Sequence, residues 1–290
     1  VIYLTFHLFL SKENIVYIGG GAWQIKGVIA AKLSCKRVVW HLNDTSMPLL
    51  VRVIFFLLSR FANGFIFASK ASQNYYSSLI PNRPAAVIPS PVDSEYTSEK
   101  PSPIFSQEGK RIIGMIANVN PIKNLEDFIL IAEKLNTIYS DLHFVIIGPI
   151  YDSQKKYYKS LKRMIINLGL KNMSFVGPVE NVFSCLKALD IFLFTSKSES
   201  SPLAIWEAMY SECPVVTYEV GDVKEYINHM KSGYVAELFD RDDLINGVIH
   251  LLNNKELSSS IGKEAKKVVE AELSSQICAT RHLDYFNKLL

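Results

Sequence analysis

The chain has 290 residues, enough for one large or two ordinary domains, and its 49% hydrophobic and 20% charged residues predict a globular protein with a sizeable core. The net charge of +3 is uneven, because residues 1–111 contain twelve Lys and Arg against six Asp and Glu, while the remainder contains nineteen against twenty-two. The basic half fits an anionic lipid or acceptor as well as it fits a plain solvated surface. Nucleic acid is disfavoured, since no cluster of Lys and Arg alternates with aromatic residues.

The sequence begins at Val1, inside an apolar segment, and we expect the natural N-terminus to be missing. No apolar run reaches the roughly 18 residues that a membrane span requires. The four cysteines are far apart and none has metal-ligand spacing, which predicts a reducing compartment and no structural zinc.

Short apolar runs alternate with helix-length amphipathic segments along the whole chain. Such runs predict strands at 15–18, 37–40, 64–67, 86–88, 112–117, 142–147, 173–176, 191–194, 215–218 and 233–236. This alternation predicts an α/β fold with parallel sheets that helices cover on both faces.

A segment rich in Pro and Ser interrupts the alternation from about residue 90 to 110 and is typical of an interdomain linker. We therefore expect an N-terminal domain over 1–108 that lacks several strands, with the linker from about 90, and a C-terminal domain over 109–274. Because no strand separates the last two helices, the final one, 275–290, can pack back on the first domain.

The turn 118–124, NVNPIKN, follows a predicted strand and precedes a helix that begins near Asn124, with Asp127 at its third position. Ligands bind at such strand-to-helix turns in parallel sheets. Lys123 beside a helix N-terminus combines two sources of positive potential and suits a diphosphate. A surface lysine without a ligand is the alternative.

A second turn lies in the stretch 196–214 and follows the predicted strand 191–194. Ser201 is a favourable N-cap and Pro202 suits the first helical position, so Glu199 falls in the loop and Glu207 on the second helical turn. A carboxylate in so apolar a helix either points to water or is buried for a reason. This turn and the Lys123 turn can together hold one nucleotide diphosphate.

Other candidate positions are weaker. His41 follows a predicted strand and can contact or deprotonate an acceptor hydroxyl, although a plain turn histidine fits as well. Gly148 and Gly177, each followed by Pro, close two strands where a base would meet backbone groups. No clustered carboxylates indicate a metal site, so lysine and helix dipoles would neutralise a diphosphate without an obligatory divalent cation.

The apolar segment 49–61 carries Arg52 and Arg60 eight residues apart, on roughly one side of a helix. Buried packing with two arginines that extend to solvent is one interpretation. The other is peripheral membrane contact, which a lipid-linked acceptor would require.

Taken together, these motifs resemble the retaining glycosyltransferases of family four, which have the two-domain GT-B fold. Glu199 and Glu207 match the family's E-x7-E motif. The remaining motifs keep the family's order, at 67–71, 87–93, 121–124, 214–216, Gly221, Glu225 and 232–235. The resemblance covers nearly the whole chain from about Ile15, and it implies two Rossmann-like domains that face across a cleft, the N-terminal one incomplete.

The resemblance also implies roles for individual residues. The donor site would comprise Lys123 and Asn118 at the diphosphate, Glu199 with the backbone of Ser200, Ser201, Pro202 and Leu203 at the donor sugar and phosphate, Glu207 at the ribose hydroxyls, and Gly148 and Val179. His41 would match the histidine at the acceptor side, and Glu199 and His41 would be the catalytic pair.

The function implied is transfer of a sugar, with retention of configuration, from a nucleotide-diphosphate donor to a glycan or lipid-linked acceptor. A UDP-sugar is favoured on family frequency alone. The resemblance also favours bacterial surface polysaccharide synthesis, in the cytoplasm or at the inner face of the membrane.

Three departures keep alternatives open. Asn118 replaces the arginine that often precedes the family's lysine, Ser200-Ser201-Pro202 replaces the usual glycine-rich turn after Glu199, and we expect the first strands of the domain to be missing. A nucleotide-sugar epimerase of similar fold is one alternative, and a catalytically inactive GT-B scaffold subunit is another.

Overall fold

The computed structural model describes residues 1–93 and 109–290. Its strands are β1 (Ile15–Ile18), β2 (Arg37–Leu42), β3 (Gly64–Phe67), β4 (Ala85–Val87), β5 (Arg111–Ile116), β6 (Leu142–Ile147), β7 (Met173–Gly177), β8 (Ile191–Phe194), β9 (Val215–Tyr218) and β10 (Tyr234–Ala236). These match the predicted strands to within two residues at either end.

The α-helices are α1 (Ile2–Leu10), α2 (Ile25–Leu33), α3 (Leu49–Leu58), α4 (Lys70–Tyr76), α5 (Leu125–Asn136), α6 (Lys155–Asn167), α7 (Val182–Leu186), α8 (Leu203–Tyr210), α9 (Val223–Tyr226), α10 (Arg241–Asn253), α11 (Lys255–Glu272) and α12 (Ser275–Asn287). Single turns of 3-10 helix occupy Gly21–Trp23, Ser59–Phe61, Pro121–Lys123 and Asp152–Gln154.

The described chain divides into two compact units. Unit 1 comprises Val1–Ser90, Glu199–Ser201 and Gln276–Leu290, and unit 2 comprises Pro91–Ser198 and Pro202–Ser275. Most of the predicted linker, 94–108, lies outside the described residues.

Unit 1 contains a four-stranded parallel sheet in the order β1-β2-β3-β4. Because side chains alternate along a strand, β2 contributes to two separate cores. Trp40 points to one face and packs against Phe55, with ring centroids 4.8 Å apart. Val39 points to the other face and packs in a cluster with Ile66 and Tyr285, so α12 covers this face of the sheet.

Unit 2 contains a six-stranded parallel sheet in the order β10-β9-β8-β5-β6-β7. All four residues of β8 are buried, as expected for a strand with helices on both faces. The buried apolar residues of this unit form one continuous core. The predicted α/β fold with two parallel sheets is therefore confirmed.

Helix α11 packs against α8 through a glycine. A Cβ atom on Gly262 would lie 2.1 Å from the carbonyl oxygen of Glu212, just after the end of α8. Only a residue without a side chain permits this approach of helix to backbone. The contact fixes the C-terminal end of α8, the helix that carries Glu207.

Two helices of unit 1 expose much of their apolar surface. No residue of α1 is buried, and Phe55 is the one buried residue of α3, whereas Leu49 and Leu50 are 77% and 72% exposed. The interpretation of 49–61 as a buried helix is therefore confirmed for one face only, which packs on the core through Phe55, Val51 and Leu58, and is wrong for the face that carries the exposed leucines. Within residues 1–93 and 109–290, no helix combines the length and apolarity needed to span a bilayer.

We predict that Gly262→Ala lowers the free energy of unfolding by about 1–3 kcal/mol, because backbone cannot yield to the added methyl group as a flexible side chain would. Thermal denaturation measures the change. The control is Ser260→Ala, at an exposed position of the same helix, which should remain within about 0.5 kcal/mol of the parent. Equal stability of the two variants would contradict the close contact.

Candidate active site

The site begins with two neighbouring strands of unit 2. Strand β5 pairs in parallel with β8, so both strands end at the same edge of the sheet. The Lys197 N–H donates to the Ile122 carbonyl at 2.8 Å, and the Thr195 hydroxyl lies 3.1 Å from the Lys123 carbonyl oxygen. The turns after β5 and β8 are therefore hydrogen-bonded to each other.

Lys123 ends the short 3-10 helix that precedes α5. The side chain of Asn120 caps that helix by accepting from the Ile122 N–H at 2.9 Å. The Lys123 ammonium lies 5.5 Å from the centroid of the Phe194 ring, at the carboxyl end of β8. A cation is thereby held beside the first turn of α5, and this arrangement suits a phosphate group.

The turn after β6 lies directly against the turn after β5. Gly148 has a φ of +147°, and a Cβ atom there would lie 2.2 Å from the Ala117 carbonyl oxygen. The Val119 N–H donates to the Pro149 carbonyl at 3.0 Å. Two of the predicted donor residues, Gly148 and half-buried Asn118, are thus brought together at this edge.

Glu207 lines a pocket of about 300 Å³ in unit 2. The pocket wall also includes Leu203 from the same helix and Glu180, Asn181 and Val182 from the segment after β7. Glu207 is half-buried, and burial raises its pKa to about 7. Its carboxylate can accept hydrogen bonds from vicinal hydroxyl groups of a ligand.

The segment between β7 and α7 was largely missed by the sequence analysis. Val179 is half-buried against the core of unit 2, and Glu180 and Asn181 follow it into the pocket wall. A signal was present, because Asn181 is an N-cap whose side chain accepts from the Ser184 N–H at 3.0 Å. An N-cap at Asn181 predicts that α7 begins just after β7, at the edge of the sheet where ligands bind in parallel α/β folds.

The predicted cap of α8 is wrong. Helix α8 begins at Leu203 with Pro202 at the cap position and without a side-chain cap bond. Within unit 1, the Ser201 hydroxyl instead accepts from the Ser90 N–H at 3.0 Å, and Ser200 and Ser69 share a hydrogen bond of 2.8 Å. The side chains of Ser200 and Ser201 are therefore both hydrogen-bonded within unit 1. The family resemblance assigns only the backbone groups of these serines to ligand binding.

His41 lies inside β2, paired with Ile66, rather than in the turn after the strand. Its Nδ1 hydrogen-bonds the Tyr17 hydroxyl, and its ring centroid is 6.1 Å from that of His282. Its Nε2 is buried and has no hydrogen-bond partner among the described residues. Burial, followed by the nearby His282, lowers the pKa of His41 to about 4, so the ring is neutral at pH 7.

Unit 2 therefore contains Lys123, Asn118, Gly148, Val179, Pro202, Leu203 and Glu207. Unit 1 contains Glu199, Ser200, Ser201 and His41. Within the described ranges, no group of three or more His, Cys, Asp or Glu side chains is arranged to hold a metal ion.

A family model described as "Glycosyl transferases group 1" matches residues 97–268. The chain belongs to this family. Among curated relatives, N-acetyl-alpha-D-glucosaminyl L-malate synthase of Bacillus anthracis is 28% identical over 171 residues, which are 58% of this chain and 43% of that enzyme. Poly(ribitol-phosphate) alpha-N-acetylglucosaminyltransferase of Staphylococcus aureus (strain COL) is 26% identical over 180 residues, 61% of this chain and 36% of that enzyme.

The fold of this group 1 glycosyltransferase is that of solved GT-B structures. Anabaena Alr3699/HepE in complex with UDP and glucose matches with a TM-score of 0.89 at 19% identity, over 99% of this chain and 81% of that one. The aligned part of the chain spans less than half the length of the two curated relatives.

The raised pKa of Glu207 has a measurable consequence for stability. Because its pKa rises from 4.5 to about 7 on folding, the native state binds this proton more tightly than the unfolded state. The free energy of unfolding therefore falls as the pH rises from about 4.5 to about 7, and the full cost of ionisation is about 3 kcal/mol.

We predict that Glu207→Gln gains stability relative to the parent as the pH is raised from 5 to 8, by up to about 3 kcal/mol. Thermal denaturation across this pH range measures the difference. Glu264→Gln is the control, because the Lys267 ammonium holds the pKa of Glu264 below its ordinary value. A pH-independent difference for the Glu207 variant would contradict the burial of this carboxyl group.

Proposed function

We propose that this glycosyltransferase moves a sugar from a nucleotide-diphosphate donor, preferentially a UDP-sugar, to a glycan or lipid-linked acceptor with retention of configuration. The observation that carries the proposal is the pair of hydrogen-bonded turns after β5 and β8, which hold Lys123 at one sheet edge. A cation and a helix N-terminus on one side of a site favour the binding of a diphosphate.

In this proposal the diphosphate binds Lys123, with Asn118 beside it, and the ribose hydroxyls donate to Glu207. The pocket next to Glu207 supports the second assignment, because it opens between α8 and the segment that follows Val179. Gly148 and Val179 would then contact the nucleoside through backbone groups. Glu199 and the backbone of residues 200–203 would hold the donor sugar and its phosphate.

The reaction breaks the bond between the anomeric carbon and the diphosphate, and negative charge develops on the leaving group. Lys123 and the first turn of α5 would stabilise that charge electrostatically, without an obligatory metal ion. His41 is neutral at pH 7 and can accept or donate a hydrogen bond at the acceptor side, as the family resemblance assigns to it.

The relatives support the type of donor and product. The names of the Bacillus anthracis and Staphylococcus aureus enzymes specify alpha-linked N-acetylglucosaminyl products, and the Anabaena structure contains UDP and glucose. For this chain we propose a UDP-hexose or UDP-N-acetylhexosamine. Cytoplasmic synthesis of a bacterial surface polysaccharide is the context that the family resemblance favours.

Two other functions give different results in the same assay. An epimerase would convert the free nucleotide sugar without an acceptor, and an inactive scaffold would bind nucleotide without turnover. The proposed transferase releases UDP only as the sugar appears on an acceptor, and nuclear magnetic resonance of the product reports its anomeric configuration. A panel of UDP- and GDP-sugars identifies the base.

We predict that the parent binds UDP about ten-fold more tightly than 2′-deoxy-UDP at pH 8, because a hydrogen bond to an ionised carboxylate contributes about 1.5 kcal/mol or more. Glu207→Ala should abolish this preference, and calorimetry measures both affinities. Glu180→Ala, which truncates an exposed carboxylate in the wall of the same pocket, should retain it. A Glu207→Ala variant that still prefers UDP would exclude Glu207 from ribose binding.

We also propose that α3 contacts a membrane, because its surface is apolar and basic. The helix exposes Leu49, Leu50 and Leu57 together with Arg52 and contains no acidic residue, and the Arg60 guanidinium lies 4.0 Å from the centroid of the Phe56 ring. Such a surface matches an anionic bilayer.

We expect the protein to co-sediment with vesicles that contain about 30% phosphatidylglycerol and not with phosphatidylcholine alone, since basic side chains add about 1 kcal/mol each near an anionic surface. Leu50→Ser should reduce binding several-fold. Leu203→Ser, at an exposed apolar position in unit 2, is the matched control. Equal binding to both vesicle types, or none to either, would overturn the proposal.

A further inference from the structure

Asp127, on the first turn of α5, is a buried carboxylate with a complete set of partners. It is 7% exposed, and its Oδ1 accepts from the Arg241 guanidinium through Nε at 3.0 Å and Nη2 at 2.8 Å. Its Oδ2 accepts from the Tyr218 hydroxyl at 2.8 Å and from the Asn124 side-chain amide at 2.6 Å. Each oxygen thus has two donors, so Asp127 retains little capacity for a ligand.

The contact with Asn124 reaches the site directly, because Asn124 follows Lys123 in the chain. Asn124 is 4% exposed and adopts the left-handed conformation, with φ 50° and ψ 50°. Residues other than glycine rarely adopt this conformation, and Asn is among the few that tolerate it. The chain direction after Lys123 therefore depends on holding Asn124 in place.

The backbone of the same turn is held by a second residue, Thr195. The Thr195 hydroxyl, just after β8, lies 3.0 Å from the Asn124 carbonyl oxygen and 3.1 Å from that of Lys123. Asp127 fixes the Asn124 side chain while Thr195 fixes its carbonyl group. A left-handed residue with both groups held has little freedom to rotate.

The remaining partners anchor Asp127 to distant parts of unit 2. Tyr218 is the last residue of β9 and Arg241 the first of α10. Burial, with the hydrogen bond to Asp127, raises the pKa of Tyr218, so the phenol stays a donor at all relevant pH values. A buried carboxylate needs such partners, since an unpaired one would be costly.

We propose that Asp127 is a positioning residue for the diphosphate site: it locks Asn124 in the left-handed conformation and thereby aims Lys123 at the phosphates. The inference rests on the proposed function, but the conformation of the turn is testable without a nucleotide. Asp127 touches no substrate in this role, and Tyr218 and Arg241 act through it.

The first test is Asp127→Asn, which keeps the shape of the side chain but turns an acceptor into a donor facing Asn124 or Arg241. UDP affinity should fall about ten-fold, approaching that of Lys123→Ala, whereas the affinity for uridine, which lacks the diphosphate, should stay within about two-fold. Calorimetry well below the melting temperature separates this effect from lost stability.

A matched control exists in the same unit. Asp243 accepts from the Tyr234 hydroxyl at 2.7 Å, the same pairing of groups as Asp127 with Tyr218 but without a contact to Asn124. Asp243→Asn and Tyr234→Phe should leave UDP affinity unchanged, while Tyr218→Phe should lower it. If Asp127→Asn lowers the melting temperature but not the affinity for UDP, Asp127 is structural only and the proposal fails.

The second test uses glycine, which adopts the left-handed conformation without help. In an Asn124→Gly background, Asp127→Asn should weaken UDP binding by less than about three-fold, so the two changes should be strongly coupled. Full additivity of their effects would overturn the proposal.

Hydrogen exchange gives a readout that needs no ligand. The Lys197 N–H, which donates to the Ile122 carbonyl at 2.8 Å, and the amides of residues 122–124 should exchange faster in Asp127→Asn than in Asp243→Asn. Unchanged exchange would contradict positioning whatever the nucleotide data show. Faster exchange in a protein that binds no nucleotide would instead leave the positioning role intact and reject the proposed function.

Discussion

Parallel pairing between β5 and β8 is the constraint on which the candidate site depends. Because the two strands run the same way, their carboxyl ends fall at one edge, and the turns that follow them hydrogen-bond to each other. The Lys123 ammonium beside Phe194 is a result of that geometry, since Lys123 lies in the turn after β5 and Phe194 is the last residue of β8. The rest of unit 2, including the helix that carries Glu207, is arranged around this pair of strands.

The fold was predictable because buried parallel strands leave a strong pattern in sequence. Continuous apolar runs such as 191–194, separated by helix-length segments, indicated both sheets. The order of strands was not predictable from this pattern, because nothing local records that β5 lies between β8 and β6. The motif order indicated a GT-B glycosyltransferase, and the group 1 family model that matches residues 97–268 confirmed that the chain is a glycosyltransferase of this group.

The details of the site were predicted less well, for physical reasons. Ser201 has strong N-cap propensity, but a tertiary hydrogen bond from the Ser90 N–H occupies its hydroxyl. Asn124 was correctly placed just before α5, yet its side chain donates to Asp127 instead of capping the helix. For Ser201 a hydrogen-bond partner far away in sequence determines what the side chain binds, and for Asn124 an unusual backbone conformation does so. Local helix propensity contains no information about either.

Glu207, the proposed ribose-binding residue, illustrates how a ligand site can oppose stability. Holding a half-buried carboxylate ionised at neutral pH costs free energy, so the position is unfavourable in the absence of a ligand. Hydroxyl donors from a bound ribose would compensate part of that cost.

The hydrogen bonds between the two turns also bear on how donor preference changes in evolution or by design. The carbonyl groups of Ile122, Lys123 and Asn124 all accept from residues that follow β8. The two turns therefore form one structural unit, although they are far apart in the sequence. A loop transplanted after β8 alone would lack its hydrogen-bond partners in the turn after β5, so changing the proposed donor preference by loop exchange requires both segments to be replaced together.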